Sequence, residues 1–536
     1  MSNALMLFTI GPVQQFVGPS RKLKDLYSGS FLLSHLAIQA KEFFEKKQVK
    51  VIIPAPNIVS APNRLVVQVE NIEEAEQLAK AVNTHVHQEF LNISKKVFEK
   101  SNLMFTQEVK QQLETFLETN WVVQQNNGTF QTNYKNLLVN MHGIKNTRMF
   151  KQITEKPGRK CDLYEQYNAL ITSNEKSLQN LQRTNLKRGE NLSAISLVKR
   201  NLDKCKLQYF DMEVSSVAYM LLKSYLPSTV NLDKLKDEGS EALFDLKNNE
   251  DISNHKEYKP ETKQTALGLY DQYSNEIGSP YYAIVKLDGD GVGTKYQEVT
   301  SIEISQNLSE AISGFSQKAK EIIKENQGVC VFAGGEDILA FFPLHKLFKA
   351  LSMLIKEFGM IKELNYQGTL SAGIIITHLM TPLKPLLEQV ESLEAHAKAI
   401  DEDKAAFSMN IIRRGGLTTP LRMKFGKDGE NLKVVEELIK TLHLQENSTS
   451  FIQNVLTLLT SIKSTVNEEM LIVLLRKLLT NSLANASLEE QLGVFISVYE
   501  VVDKDIESFL SLLQQSTFLA RNIRKEQPRG RLEIDV

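Results

Sequence analysis

Cysteine is scarce in this chain: Cys161, Cys205 and Cys330 are the three among 536 residues. Their wide spacing argues against a disulfide framework and fits a reducing, cytoplasmic setting. Long apolar runs are missing too. No stretch reaches the roughly 20 residues that a membrane-crossing helix needs, and no membrane partner is expected. The N-terminus has no signal-peptide pattern, because a strand-like run starts near Leu5. Charge of either sign is not in excess: 63 Lys and Arg against 64 Asp and Glu leave −1. Nucleic-acid contact driven by overall charge is therefore excluded, and any such contact must use local basic patches. Arg21, Lys22 and Lys24, or Lys199 and Arg200, are the candidates.

What is present reads as several folded domains. The length exceeds one core and suggests about three to four domains. Residues 1–119 alternate strand and helix: a strand over Leu5–Ile10, a turn at Gly11-Pro12, a helix from Phe31 to about Lys46, strands at Val51–Ile53 and Leu65–Val69, and helical pattern over Glu73–Lys100. Residues 120–270 are polar and rich in Asn, Gln and Lys, and read as a helical insert with a charged connector at Asp233–Thr265. Residues 271–416 form a second α/β unit, with strands Tyr281–Leu287, Thr369–Thr377 and Phe407–Arg413 between helices Glu303–Glu325, Leu344–Glu363 and Leu383–Ile400. Residues 417–536 are nearly all amphipathic helix and predict a small bundle. No fixed-period repeat is visible, although the two α/β units are compatible with a distant duplication.

Two segments carry the chemistry. LDGDGVG (Leu287–Gly293) ends one apolar strand, and FAGGEDILAFF (Phe332–Phe342) reads as a hairpin whose Gly-Gly turn lifts Glu336 and Asp337 to its tip. An Asp-Gly turn alone is ordinarily a solvated turn, and GGED alone is an ordinary hairpin loop. Together they favour a metal site, because three converging carboxylates at one sheet end are costly unless divalent cations neutralise them. Asp288, Glu336 and Asp337 are the expected catalytic and metal-binding acids. Two Mg²⁺ (or Mn²⁺) ions about 4 Å apart would support nucleotidyl transfer. Gly289, Asp290, Gly291, Gly334 and Gly335 would line the nucleotide, since glycine lets backbone approach phosphates; Asp290 alternatively caps the following helix. Lys398 is the candidate phosphate contact. Lys286 and Lys295 read as solvated, and His378 and His396 as structural.

At this point the chain resembles a known family. YYAIVKLDGDGVG, VFAGGEDILAFFPL, LSAGIIITH (Leu370–His378) with Thr381-Pro382-Leu383, and Arg413-Arg414-Gly415 are similar to the second palm domain of the large polymerase/cyclase-like subunit of type III CRISPR–Cas effector complexes, the Cmr branch (type III-B) in particular. Thr9–Ser34 and Ala61-Pro62-Asn63-Arg64 resemble the first-palm signature of the same subunit. The resemblance implies two ferredoxin-like palm domains holding two ATP molecules, with metals on the second palm. It implies partners: other Cmr-type subunits, guide RNA and target RNA. It implies that target pairing switches on synthesis of a cyclic or linear oligoadenylate messenger, by attack of a 3′-hydroxyl on an α-phosphate. The first palm would bind nucleotide without metal, since Ile10-Gly11-Pro12 stands where Leu287-Asp288-Gly289 stands in the second.

Three departures qualify the resemblance. None of the nine histidines is followed by aspartate, so the HD nuclease of many relatives is not expected. Of a four-cysteine zinc ribbon, Cys161 survives, while Ser193 and Ser196 occupy the second pair; no zinc is expected and the insert must fold by packing. The hairpin is GGED rather than GGDD, and glutamate remains a hard oxygen ligand. Three other readings stay open: AMP transfer to another acceptor such as S-adenosylmethionine, an inactive structural subunit, and a GTP-using cyclase of the diguanylate type.

Overall fold

The computed structural model describes residues 3–55, 62–147, 154–170, 186, 189–236, 239–255, 258–413, 420–444, 448–463, 465–482, 488–523, 525–526 and 531–532. Ala61, Arg414 and Gly415 of the quoted motifs lie outside them. The chain divides into two compact units. The first comprises Met1–Ser215, Gly291–Gln317 and Val331–Glu336; the second comprises Ser216–Asp290, Lys318–Cys330 and Asp337–Val536.

The first unit is built on the apolar run Ala4–Gly11, strand β1, every residue of which but the last is buried. It lies between β3 (Arg64–Val69) and β4 (Glu118–Gln125), and β2 (Lys50–Ile53) closes the order β2-β3-β1-β4. Both faces of this antiparallel sheet are covered. Met6, Phe8 and Ile10 face a core shared with α2 (Leu23–Lys46) and α3 (Ile72–Lys100); Leu5 and Leu7 join Tyr134, Leu137 and Met141 of α5 (Phe130–Asn146). The period-two pattern of β1 thus splits its side chains between two layers. Asn71 caps α3 by accepting from Glu74 N at 2.8 Å, while Glu74 Oε2 accepts from Glu70 N at 2.7 Å. The first bond satisfies a donor that the opening helical turn leaves without an intrahelical partner, and the second ties down the chain just before the cap. The short helix α1 (Val13–Val17) follows β1, and α4 (Gln107–Phe116) precedes β4. Helix α6 (Ala194–Asn201) carries eight buried residues.

One expected boundary shifts. The sequence reading placed helical insert from residue 120, whereas residues up to Gln125 are strand. Trp121, Val122 and Val123 favour a pleated surface, and their polar neighbours take its exposed side. The stretch read as a connector, Asp233–Thr265, is largely helical as well. After α7 (Val217–Tyr225) come α8 (Gly239–Lys247) and α9 (Pro260–Tyr273), which bury Leu243, Phe244 and Ala266. Its charges lie outside and its few apolar residues inside, so composition alone concealed it.

The second sheet runs β10-β9-β8-β5-β7-β6, with β5 (Tyr281–Gly289), β6 (Val329–Gly334), β7 (Asp337–Pro343), β8 (Leu370–His378), β9 (Ala406–Ile412) and β10 (Leu421–Lys424). All nine residues of β8 are buried. Each buried isoleucine of Ile374-Ile375-Ile376 contributes roughly 1.5–3 kcal/mol. Strand β10 was not anticipated; Leu421 and Met423 are inward and Arg422 is exposed, a two-residue period too short to stand out. Helices α10 (Val292–Glu298), α11 (Ile302–Glu325), α12 (Leu347–Gly359) and α13 (Leu383–Lys398) connect the strands. The C-terminal helices are α14 (Glu430–Leu444), α15 (Ser448–Ile462), α16 (Glu468–Ser482), α17 (Leu488–Val501) and α18 (Ile506–Asn522). They join the second unit, where Gln515 donates to Met409 O at 3.2 Å.

The two sheets share one plan. Each runs strand, short helix, long helix, two strands, helix, strand, with α4 added before the last strand of the first, and the orders β2-β3-β1-β4 and β6-β7-β5-β8 correspond strand by strand. This shared topology agrees with the duplication suggested by sequence. The fold is therefore mixed α and β, with two palm-type sheets and a helical C-terminal part.

Candidate active site

Strand β5 positions the first acid. It pairs antiparallel with β7 up to Leu287↔Ile338 and with β8 through Asp288↔Ser371. Carrying the β7 register one residue further sets Asp288 opposite Asp337, the first residue of β7. Opposed residues of an antiparallel pair share one face, and like charges there repel. Side chains alternate along β5, so Lys286 and Asp288 also share that face. Helix α13 covers it. Lys286 Nζ lies 3.2 Å from both Glu391 and Glu394, and Lys398 Nζ lies 2.5 Å from both Asp288 and Glu394. Gly373 of β8, opposite Lys286, makes this approach possible: a Cβ there would fall 2.6 Å from Glu394 N and meet Val390 O.

The lysines are anchored electrostatically. Burial draws the pKa of Lys398 down, but its bonds to Asp288 and Glu394 outweigh this and leave it above the ordinary lysine value. Burial, Glu394 and Glu391 act likewise on Lys286. The solvated role expected for Lys286 is thus corrected: it is ion-paired beneath α13. Lys295 does sit on a solvated side, 3.4 Å from Glu298.

Asp290 has a set of donors of its own. It accepts from Thr369 Oγ1 at 3.0 Å, Ser371 Oγ at 2.9 Å and Ala405 N at 3.2 Å, and its own N–H donates to Thr369 O at 2.9 Å. Burial raises its pKa, partly offset by those donors. These contacts tie the end of β5 to β8 and to the approach to β9. Gly289 is a strand residue paired with Leu370, and Gly291 takes φ +73° at the N-cap of α10, a conformation suited to glycine.

The hairpin differs in one detail from its sequence reading. Its two central residues are Gly335 and Glu336, with φ +81° at Gly335; Gly334 is still strand. That is a glycine-first two-residue turn. Ser316 Oγ pins it by donating to Gly335 O at 2.7 Å. Glu336 therefore sits on the turn while Asp337 sits on the ladder. Within the first unit, Glu336 lies near Tyr134 and Tyr296. Burial pushes the Tyr134 phenol up to about 12, against the pull of Arg64 and with the help of Glu336. Burial also raises Tyr296, opposed by its bond to Ser309 and aided by Glu336 and Tyr134. Neither tyrosine was picked out from sequence; a lone tyrosine on a helix has no distinguishing pattern.

Among the described residues, no group of three or more His, Cys, Asp or Glu side chains is arranged to hold a metal. Glu336 lies on the turn, and Asp337 opens the strand that follows it. Two opposed carboxylates, Asp288 and Asp337, still suit Mg²⁺, which commonly takes one or two carboxylates and completes its shell with water and phosphate oxygens.

In the first unit, the three residues that the sequence comparison set against a zinc ribbon meet. Cys161 Sγ lies 3.5 Å from Ser196 Oγ and accepts from Leu163 N at 3.5 Å and Tyr164 N at 3.4 Å; Ser193 Oγ lies 3.4 Å from Ser196 Oγ. One thiol and two hydroxyls do not make the thiolate and imidazole set that zinc requires. A buried lysine is close by. Lys199 Nζ donates to Phe16 O at 2.6 Å, Pro19 O at 2.9 Å and Ser20 Oγ at 2.8 Å, and stands 5.6 Å from the centres of the Phe16 and Tyr164 rings. Burial draws its pKa down to about 7. Arg200 is paired with both Asp25 oxygens at 2.7 Å and with Glu190 at 2.9 Å. Lys24 is buried on Asp203 at 2.8 Å. Lys199, Arg200 and Lys24 are therefore structural, which removes them as RNA contacts; Arg21 is the exposed member of the proposed patches.

Comparison with known proteins agrees with this architecture. The Cas10/Cmr2 second palm domain matches residues 281–407, and the N-terminal region of the CRISPR-associated protein Cmr2 matches residues 5–60. In these two stretches the chain is similar to the Cas10/Cmr2 family. The Cmr2 subunit of the Pyrococcus furiosus Cmr system is 23% identical over 261 residues, which are 43% of this chain and 30% of that relative. The fold is similar to a chain of the type III-B Cmr-beta complex bound to cognate target RNA, with TM-score 0.66, 13% identity, and coverage of 97% of this chain and 83% of that one. A Csm1–Csm4 cassette in complex with cA4 gives TM-score 0.50 at 12% identity, covering 97% of this chain and 70% of that one. Among the described residues, no helix is long and apolar enough to cross a membrane.

Proposed function

We propose that this chain is the nucleotidyl-transfer subunit of an RNA-guided type III effector, making an adenylate product from ATP when target RNA binds. One observation carries the reading: Lys398 Nζ lies 2.5 Å from Asp288 at the end of β5, whose ladder with β7, continued by one residue, leads to Asp337. Opposed acids at a strand end, held by a lysine, have no packing value. They suit a site that receives a divalent cation and a triphosphate.

In this reading Asp288 and Asp337 hold Mg²⁺, which when bound polarises the α-phosphate and supports a nucleophilic hydroxyl. Lys398 turns to phosphate oxygens. Gly289, Gly291, Gly334 and Gly335 keep the backbone around the nucleotide bare of side chains. Glu336 serves from the turn, beside Tyr134 and Tyr296. Similarity to a Cmr-beta chain bound to target RNA, and to a cassette bound to cA4, supports the partners and the product class.

The test is product analysis. The assembled complex, given ATP, Mg²⁺ and target RNA, is expected to yield pyrophosphate and adenylate products by mass spectrometry, with and without added acceptors such as S-adenosylmethionine. Absence of any phosphodiester or phosphoryl product under every divalent metal would leave a structural role. Strong preference for GTP would overturn the adenylate assignment.

A further inference from the structure

Lys398 is one link in a chain of alternating charge on the α13 face of β5. Glu391, Lys286, Glu394, Lys398 and Asp288 follow one another at 2.5–3.2 Å. Glu394 is the hub. One of its oxygens takes Lys286 and the other takes Lys398, and its side chain is 10% exposed. A carboxylate this buried is costly unless fully paired, and here it is paired twice. Gly373 places it: its bare backbone admits α13 at the height of Glu394. Neither the metal nor the nucleotide reading assigns Glu394 a role.

Its geometry answers a problem of the site. An ammonium on Asp288 occupies the anion that a divalent cation needs. Were Asp288 its sole partner, releasing it would strand a half-buried charge. Glu394, four residues back on the same helix, holds the ammonium whether or not Asp288 does.

We propose that Glu394 is a positioning residue: it gives Lys398 a permanent second seat, so that a divalent cation takes Asp288 while the ammonium stays at the strand end for a triphosphate. This rests on the reading of Asp288 given above. Glu394 touches no reacting atom and acts through Lys398.

The experiment follows binding rather than turnover. Free Mn²⁺ is measured by electron paramagnetic resonance in titrations of the full chain, with and without a non-hydrolysable ATP analogue. Glu394→Gln is expected to weaken Mn²⁺ binding about tenfold, because Lys398 then clings to Asp288. Glu394→Asp restores most of it. Lys398→Met is expected to tighten Mn²⁺ binding alone several-fold, yet to lose the further tightening by the analogue. If Glu394→Gln lowers only the melting temperature while binding per folded molecule equals wild type, the inference is overturned. It is overturned too if Lys398→Met leaves Mn²⁺ affinity unchanged, a check that holds even if Glu394→Gln fails to fold. Should the wild type bind no Mn²⁺ with the analogue, the reading of Asp288 itself fails. If wild type binds, Asp288→Asn does not, and Glu394→Gln matches wild type, this inference alone fails.

Discussion

The two sheets have the same plan and opposite electrostatics at the ends of their central strands. Strand β5 runs out into Asp288-Gly289-Asp290; β1 runs out into Gly11-Pro12, and α1 with the turn after it is gripped by the buried amine of Lys199. In one sheet, Asp288 stays partly exposed with the half-buried Lys398 against it. In the other, a lysine is sealed among carbonyl oxygens. One topology thus carries a solvent-reached ion pair at one strand end and a buried fastening at the other.

The largest test of that contrast lies at the acids. Asp288→Asn or Asp337→Asn should lower adenylate synthesis by about 10³-fold, with thermal unfolding nearly unchanged. A residual rate within tenfold of wild type would erase the difference between the sheets. The converse is Lys199→Met. It leaves Phe16 O, Pro19 O and Ser20 Oγ without this donor and should destabilise the first unit by about 2–4 kcal/mol. Trp121, the single tryptophan, lies on β4 of that unit, so its fluorescence in a urea titration reports the change.

Gly373→Ala should come next, at about 1–3 kcal/mol, because its Cβ would press on the backbone of α13. It should also lower ATP affinity by moving Lys398; unchanged affinity would separate α13 from the site. The pH dependence is smaller and has a definite sign. Lys199 titrates near 7 when folded and near 10.5 when unfolded. Between those values the unfolded chain holds the extra proton, so this lysine's contribution makes stability rise with pH. Below about 7 the contribution is flat. Urea midpoints of wild type and Lys199→Met should draw further apart as pH climbs through that window, and parallel pH profiles would refute the assignment. The smallest effect expected is Asn71→Ala, about 1 kcal/mol, with no change in nucleotide binding.

Much of the second sheet was legible because its strands are apolar runs that stop abruptly at Asp-Gly or Gly-Gly. Asp288 and Asp337 were singled out from those stops, and Lys398 from its place on an otherwise packed helix. Their relation could not: which acid faces which depends on register, and register is set by the whole ladder. Glu336 shows the limit. One residue earlier than Asp337, it belongs to the turn and not to the strand. Glu394 has no mark in the sequence beyond its i,i+4 spacing to Lys398; its burial depends on a glycine 21 positions earlier. Lys199 and Arg200 read as a basic patch because their partners, Phe16 and Asp25, lie about 180 residues away in sequence. Strand β4 and helices α8 and α9 were obscured by polar composition, since a few inward residues suffice to fold them.

Asp290 carries a last consequence. One carboxylate and its own amide clasp the mouths of neighbouring strands together, through Thr369, Ser371 and the amide of Ala405. When the protein breathes, this corner should be among the last places where amide protons trade with solvent, so the edge bearing Asp288 stays set while more distant helices loosen.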